Sequence, residues 1–163
     1  MPNRRSTKTP RRGFPPDGGA SGAQRVPPEL AHLHWELPHT FLGLDEEASD
    51  FATSRAVILP VPYEATTSYG GGAQSGPKAI VEASRYIELY DQELKADPST
   101  VGIHTLPALE LTRDGAAAAM TELEDAYGCV ADVLDDRFLI MLGGEHSVSA
   151  PAIRARAARS GRL

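Results

Sequence analysis

Strands that alternate with helices predict an α/β fold with a mainly parallel sheet covered on both faces. Three observations carry the prediction. Two short apolar runs, Ala56-Val57-Ile58-Leu59 and Phe138-Leu139-Ile140-Met141-Leu142, are closed by proline and by paired glycines, which is the length and punctuation of buried strands. Apolar residues at spacings of three and four follow the first run and precede the second, the period of amphipathic helices. A glycine-bearing loop leaves each run, and parallel sheets gather their chemistry at the carboxyl ends of strands.

The elements follow in order. Residues 1–28 hold six Lys or Arg against one acid, Asp17, and almost no large apolar side chain. They cannot bury enough surface to offset the entropy of ordering, so a disordered basic tail is expected. Residues 29–54 form an N-terminal arm with Leu30, Leu33, Trp35, Leu37, Phe41, Leu42 and Leu44 as anchors and no sustained period. The domain proper spans 55–163. Its first strand covers 56–59 and is closed by Pro60 and Pro62. After a loop over 63–76, Pro77 opens a helix with Ile80, Ala83, Ile87, Tyr90 and Leu94 on one stripe. Val101-Gly102-Ile103 makes a weak second strand. Asp114 caps a helix whose apolar face is Met120, Leu123, Tyr127, Val130 and Leu134. The strand at 138–142 stops at Gly143-Gly144, and Ser149 and Pro151 open a short Ala/Arg helix.

At 163 residues the chain has room for one domain of ordinary size. Its net charge of −6 conceals a division, because ten of the sixteen Lys and Arg lie in residues 1–28 and 154–163. Between them, six basic residues face twenty-one acids. That excludes a basic nucleic-acid-binding core and leaves room for a site that handles a cation. The single cysteine, Cys129, excludes an internal disulfide and a zinc site built on a thiol pair, and is expected to be a small core residue. No apolar run approaches the ~18–20 residues that cross a bilayer, and no apolar stretch resembles a secretory signal. No membrane association is expected, and the cytoplasm is the expected location.

Two loops invite a functional reading. Gly71 and Gly76 in GGGAQSGPK have the spacing of a phosphate-binding loop, but Pro77 stands where the lysine must be, and Ala79 follows Lys78 in place of a metal-binding hydroxyl. A glycine-rich turn is the better reading than nucleotide binding. Tyr69 and Gly70 to Gly72 could edge an entrance or simply pack. The second loop, Leu142-Gly143-Gly144-Glu145-His146-Ser147, delivers an imidazole and a carboxylate at a strand end. On chemistry alone His146 is a metal ligand, a general base or a structural hydrogen-bonding residue. Ser147 lacks the G-x-S-x-G elbow of a serine hydrolase. His32 and His34 lack a supporting acid for metal binding, and His104 is expected to make a structural hydrogen bond. Arg154, Arg156, Arg159 and Arg162 read as a solvated helix face.

The segment from Leu142 to Pro151, LGGEHSVSAP, resembles the first signature of the ureohydrolase (arginase/agmatinase) family. LPVPYEATTSYG at 59–70, GPKAI at 76–80, IELYD at 87–91 and GIHTLP at 102–107 resemble agmatinases in the same order, so the likeness runs over about residues 40–163. The resemblance implies a three-layer α/β/α fold and hydrolysis of a guanidino group by two bridged manganese ions, whose hydroxide attacks the guanidinium carbon. For agmatine the products are urea and putrescine. Hard divalent ions want carboxylate oxygens with a few imidazoles, and together they lower the pKa of a bridging water. His146 is carried over as a metal ligand, and Glu145 as a supporting or structural residue. The family's remaining ligands lie in Asp-Ala-His-x-Asp and Asp-x-Asp segments, and neither occurs in this sequence. The expectation is therefore the N-terminal part of an arginase-like domain, its sheet incomplete at the C-terminus and inactive by itself. The implied partners are a small cationic guanidino substrate, agmatine, and further copies in a homo-oligomer. The alternative is a non-catalytic remnant that associates with a full-length relative.

Overall fold

The computed structural model describes residues 39–160. The expected tail, the first part of the arm with His32 and His34, and Arg162 lie outside the described residues. Three parallel strands, β1 (Ala56–Val61), β2 (Ile103–Thr105) and β3 (Phe138–Gly143), form a sheet in the order β2-β1-β3. Helices α1 (Gly76–Ser84), α2 (Ala116–Leu134) and α3 (Ser149–Ser160) surround it. The chain steps from β1 to β2 in one direction and back across β1 to β3 in the other. Crossovers between parallel strands are right-handed, so α1 and α2 fall on opposite faces and three layers result.

The central strand is buried because both faces are covered. Val57, Ile58, Leu59 and Val61 are each almost fully enclosed, and burial of such a side chain stabilises by about 1.5–3 kcal/mol. Leu59 and Val61 meet Leu123 of α2 and Val148, with Met120, Tyr127, Leu139 and Met141 packed around them. α3 lies against α2, joined by Arg154 Nε to Glu124 at 2.6 Å and by an ion pair of Arg159 with Asp132. Two members of the arginine run thus grip the neighbouring helix.

Several boundaries depart from expectation. β1 continues through Pro60, although proline lacks a ladder donor. The carbonyl of Pro60 accepts Leu109 N–H on the β2 side, past the end of β2 at Thr105. The missing N–H points to that same side, where no ladder partner stands. β2 begins at Ile103, two residues later than expected. Residues Pro98–Val101 form a 3-10 turn instead, and Gly102 has φ +76° with room for no Cβ, which would lie 2.9 Å from Ser54 Cα. Asp114 does not cap α2. Its carboxylate accepts the Thr112 hydroxyl, and Gly115 stands at the cap. Cys129 is exposed on α2, whose buried face is Ala119, Leu123, Ala131 and Leu134.

The largest correction concerns α1, which ends at Ser84 and not near Leu94. Its buried face is Pro77, Val81 and Ser84, while Ile80, Ile87, Tyr90 and Leu94 are between 46% and 68% exposed. Two local hydrogen-bonding groups compete with the helix here. The Ser84 hydroxyl donates back to the Val81 carbonyl at 2.7 Å and accepts Leu42 N–H at 2.8 Å. Further on, Asp91 Oδ1 takes the N–H groups of Glu93 and Leu94 and builds a turn.

The described part of the arm, 39–54, lies along β2 and the start of β3. Phe41 N–H donates to Thr105 Oγ1 at 2.9 Å, and Ile103 N–H to the Ala48 carbonyl at 3.2 Å. The Arg137 guanidinium stacks 4.5 Å above the Phe51 ring and donates to the Phe51 carbonyl.

Candidate functional site

The loops leaving β1 and β3 turn to opposite faces, one to α1 and the other to α3 beside α2. The crevice between such loops is where ligands bind in open α/β sheets. Here it is held narrow. Gly144 N–H donates to the Val61 carbonyl at 2.9 Å and Glu145 N–H to the Tyr63 carbonyl at 2.8 Å. A Cβ on residue 144 would lie 2.1 Å from Tyr63 O, so only glycine fits.

Two carboxylates clamp the loop at 63–76. Glu145, only 6% exposed, accepts the N–H of Ala65 (2.8 Å) and of Thr66 (2.7 Å) on Oε2, and the hydroxyls of Thr66 and Ser147 (both 2.5 Å) on Oε1. Burial pushes its pKa up, but the hydroxyls of Ser147 and Thr66 and the N–H groups of Thr66 and Ala65 outweigh it and hold the group down at about 2. Glu64 works from the other end. Its carboxylate accepts Gly72 N–H at 2.8 Å and Gln74 N–H at 3.0 Å, and chiefly these two bonds lower its pKa. The backbone donors that a phosphate would need in the glycine-rich loop are therefore taken by the protein's own anion. Gly72, at φ +116°, supplies the left-handed turn that makes this possible. Tyr69 is 98% exposed and does not pack.

His146 opens the 3-10 turn His146–Val148 and is exposed at the carboxyl edge of β3. Its neighbour Glu145 is committed to the clamp. Among the described residues, no group of three or more His, Cys, Asp or Glu could hold a metal ion. Among the described residues, one imidazole thus stands at the expected place with no such group around it. A single neutral imidazole does not make a manganese site, which draws on several hard oxygen donors. His104 lies elsewhere. Its Nδ1 donates to the Ser49 carbonyl at 2.8 Å and its ring meets Phe51 edge-on at 5.1 Å, the structural bond expected of it.

Sequence reasoning missed an open cleft of about 560 Å³ between residues 62–65 and 109–116, beside the clamped loop. Its far wall carries Glu110, Leu111 and Arg113, which sit in an irregular segment with no period to expose them.

A three-layer parallel sheet with polar groups at the strands' carboxyl edge is the architecture of a doubly wound α/β domain. The arginase family model matches residues 54–163, and the chain belongs to the arginase family. It is 38% identical over 123 residues to N(1)-aminopropylagmatine ureohydrolase of Synechocystis sp., a match covering 72% of this chain and 39% of that protein. Agmatinase of Pyrococcus horikoshii is 29% identical over 127 residues, 72% of this chain and 42% of the relative. The crystal structure of agmatine ureohydrolase of Thermoplasma volcanium superposes with a TM-score of 0.59 at 26% identity, covering 78% of this chain and 41% of that one. The chain spans about two fifths of the length of the curated relatives it matches.

Proposed function

We propose that this chain forms part of a hydrolase that cleaves a guanidino group from a cationic alkylamine, with His146 as one ligand of a manganese site. The observation that supports it is the exposed imidazole at the β1/β3 crevice, fixed there by the Glu145 clamp, within a segment that matches the arginase family throughout. The expected substrate is agmatine, with urea and putrescine as products. The relatives' names widen the class to agmatine bearing an N-aminopropyl arm. The acidic body suits either cation.

The residues' roles follow from their contacts. Glu145 fixes the backbone on which His146 stands, and Glu64 keeps the glycine-rich loop folded flat beside it. Since one imidazole does not hold a manganese pair, the described residues alone perform no metal-assisted hydrolysis. Action through association with a longer relative is the second reading, favoured by the free outer edge of β3 among the described residues and by Phe138 there, 68% exposed. No helix among the described residues is long and apolar enough to cross a membrane. We place the protein in the cytoplasm, as a homo-oligomer in its complete form, with no nucleic-acid partner.

The test is urea release from agmatine and from aminopropylagmatine with added manganese. The chain alone is expected to release none. Residues 54–163 grafted in place of the matching segment of the Synechocystis relative are expected to support turnover. A folded graft that hydrolyses neither substrate would refute the reading.

A further inference from the structure

The proposed hydrolysis leaves the cleft between residues 62–65 and 109–116 without a task, and its position gives it one. It shares a wall with the candidate site. Tyr63 and Ala65 line the cleft, while the Tyr63 carbonyl accepts Glu145 N–H at 2.8 Å and Ala65 N–H donates to the Glu145 carboxylate at 2.8 Å. The cleft lies at the carboxyl ends of β1 and β2, and His146 follows β3 on the other side of β1. Strands stand about 4.8 Å apart, so the axes of β2 and β3, on either side of β1, are about 10 Å apart. A flexible polyamine chain can bridge that span.

The lining suits such a chain. Pro62, Tyr63, Leu109 and Leu111 offer apolar surface for methylene groups. Glu110 lines the far wall, exposed, with no hydrogen bond from the described residues. The Glu64 carboxylate adds a second negative charge. Two features oppose a cation: Arg113 on the same wall, and the N-terminal end of α2 at Gly115 and Ala116. A helix terminus contributes about half a charge, so the two carboxylates roughly offset both. The balance rests on Glu110, whose carboxylate lines the cleft and takes no hydrogen bond from the described residues.

We infer that this cleft is a subsite for the alkyl-ammonium arm of the substrate, with Glu110 pairing the distal ammonium and Tyr63 and Leu111 covering the methylenes. The inference rests on the proposed guanidino hydrolysis and adds to it a residue that sets how long an amine the site prefers.

Spermidine is the probe, because it carries the alkyl-ammonium arm and no guanidino group. Titrated into the 15N-labelled 163-residue chain, it should shift the amides of Ala65, Glu110, Leu111 and Gly115. Glu110→Gln should weaken that binding by about two- to fivefold, the range of an exposed ion pair, while Glu88→Gln leaves it unchanged. The inference is overturned if spermidine shifts only amides outside the cleft, if both variants weaken binding alike, or if inorganic phosphate shifts the cleft and spermidine does not. The grafted enzyme separates this from the parent reading. Glu110→Gln should raise KM for aminopropylagmatine more than for agmatine; equal KM values in an active graft would sink the subsite alone. A graft inactive on both substrates, with spermidine still bound in the cleft, would sink only the hydrolase reading.

Discussion

Replacing Glu145 with glutamine keeps its size and removes its charge, and the hydrogen bonds state what that should cost. The carboxylate accepts two backbone N–H groups, from Ala65 and Thr66, and two hydroxyls, from Thr66 and Ser147. A bond to a charged acceptor contributes about 1.5–3 kcal/mol and a neutral one about 0.5–1.5 kcal/mol, so the two N–H bonds lose about 1 kcal/mol each. The hydroxyls can rotate and accept from the new amide. Relief of the buried charge's desolvation works the other way, leaving a net loss of about 1–2 kcal/mol. Glu145→Ala strands both N–H groups, at about 1–3 kcal/mol each. Residues 65 and 66 are themselves exposed, so water replaces part of the loss and about 2–4 kcal/mol is expected. Urea denaturation followed by circular dichroism measures the stability, and amide exchange at Ala65 and Thr66 locates the effect. If Glu145→Ala unfolds within about 0.5 kcal/mol of the parent, with exchange at 65 and 66 unchanged, the clamp does not hold the loop.

The remaining predictions follow from the same geometry. The pKa of Glu145 is lowered from 4.5 to about 2, so its contribution is complete above the unfolded value and lost as pH falls from about 4.5 toward 2. Glu64, also lowered, acts in the same direction, and stability measured from pH 6 to 2 should fall less steeply in Glu145→Gln than in the parent. Gly144→Ala forces backbone apart at Tyr63 and should cost about 3 kcal/mol, whereas Gly128→Ala, in α2 with nothing within 4 Å of the added methyl, should stabilise by about 0.5–1 kcal/mol; thermal midpoints of the two variants check both signs. Leu123→Ala opens a cavity beneath Leu59 and Val61 and should cost about 2–5 kcal/mol by the same denaturation.

What could be read from the sequence was whatever depends on local pattern. The strands at 56 and 138 announce themselves because a fully buried strand needs an unbroken apolar run, and the loops at their ends mark the site's edge. The end of α1 is hidden in the sequence because Ile80, Ile87, Tyr90 and Leu94 mimic a helical stripe, while the turn built by Asp91 leaves no period behind. The role of Glu145 could be half-read: a carboxylate beside a histidine is visible, but its partners at 65 and 66 lie about eighty residues away. Glu64 was invisible for a related reason, since it binds backbone N–H groups, which every residue has. The cleft's Glu110 and Arg113 lie in an irregular segment positioned by tertiary packing alone.

The central claim is that His146 is a metal ligand of a guanidino hydrolase. Its most direct test compares urea release and bound manganese in the graft of residues 54–163 with those in the same graft carrying His146→Ala. Even residues that only support metal ligands typically change affinity or activity by about 10- to 100-fold. Loss of the ligand should therefore lower turnover more than about 100-fold and deplete manganese, with the fold intact. A His146→Ala graft that keeps its manganese and full turnover would contradict the account.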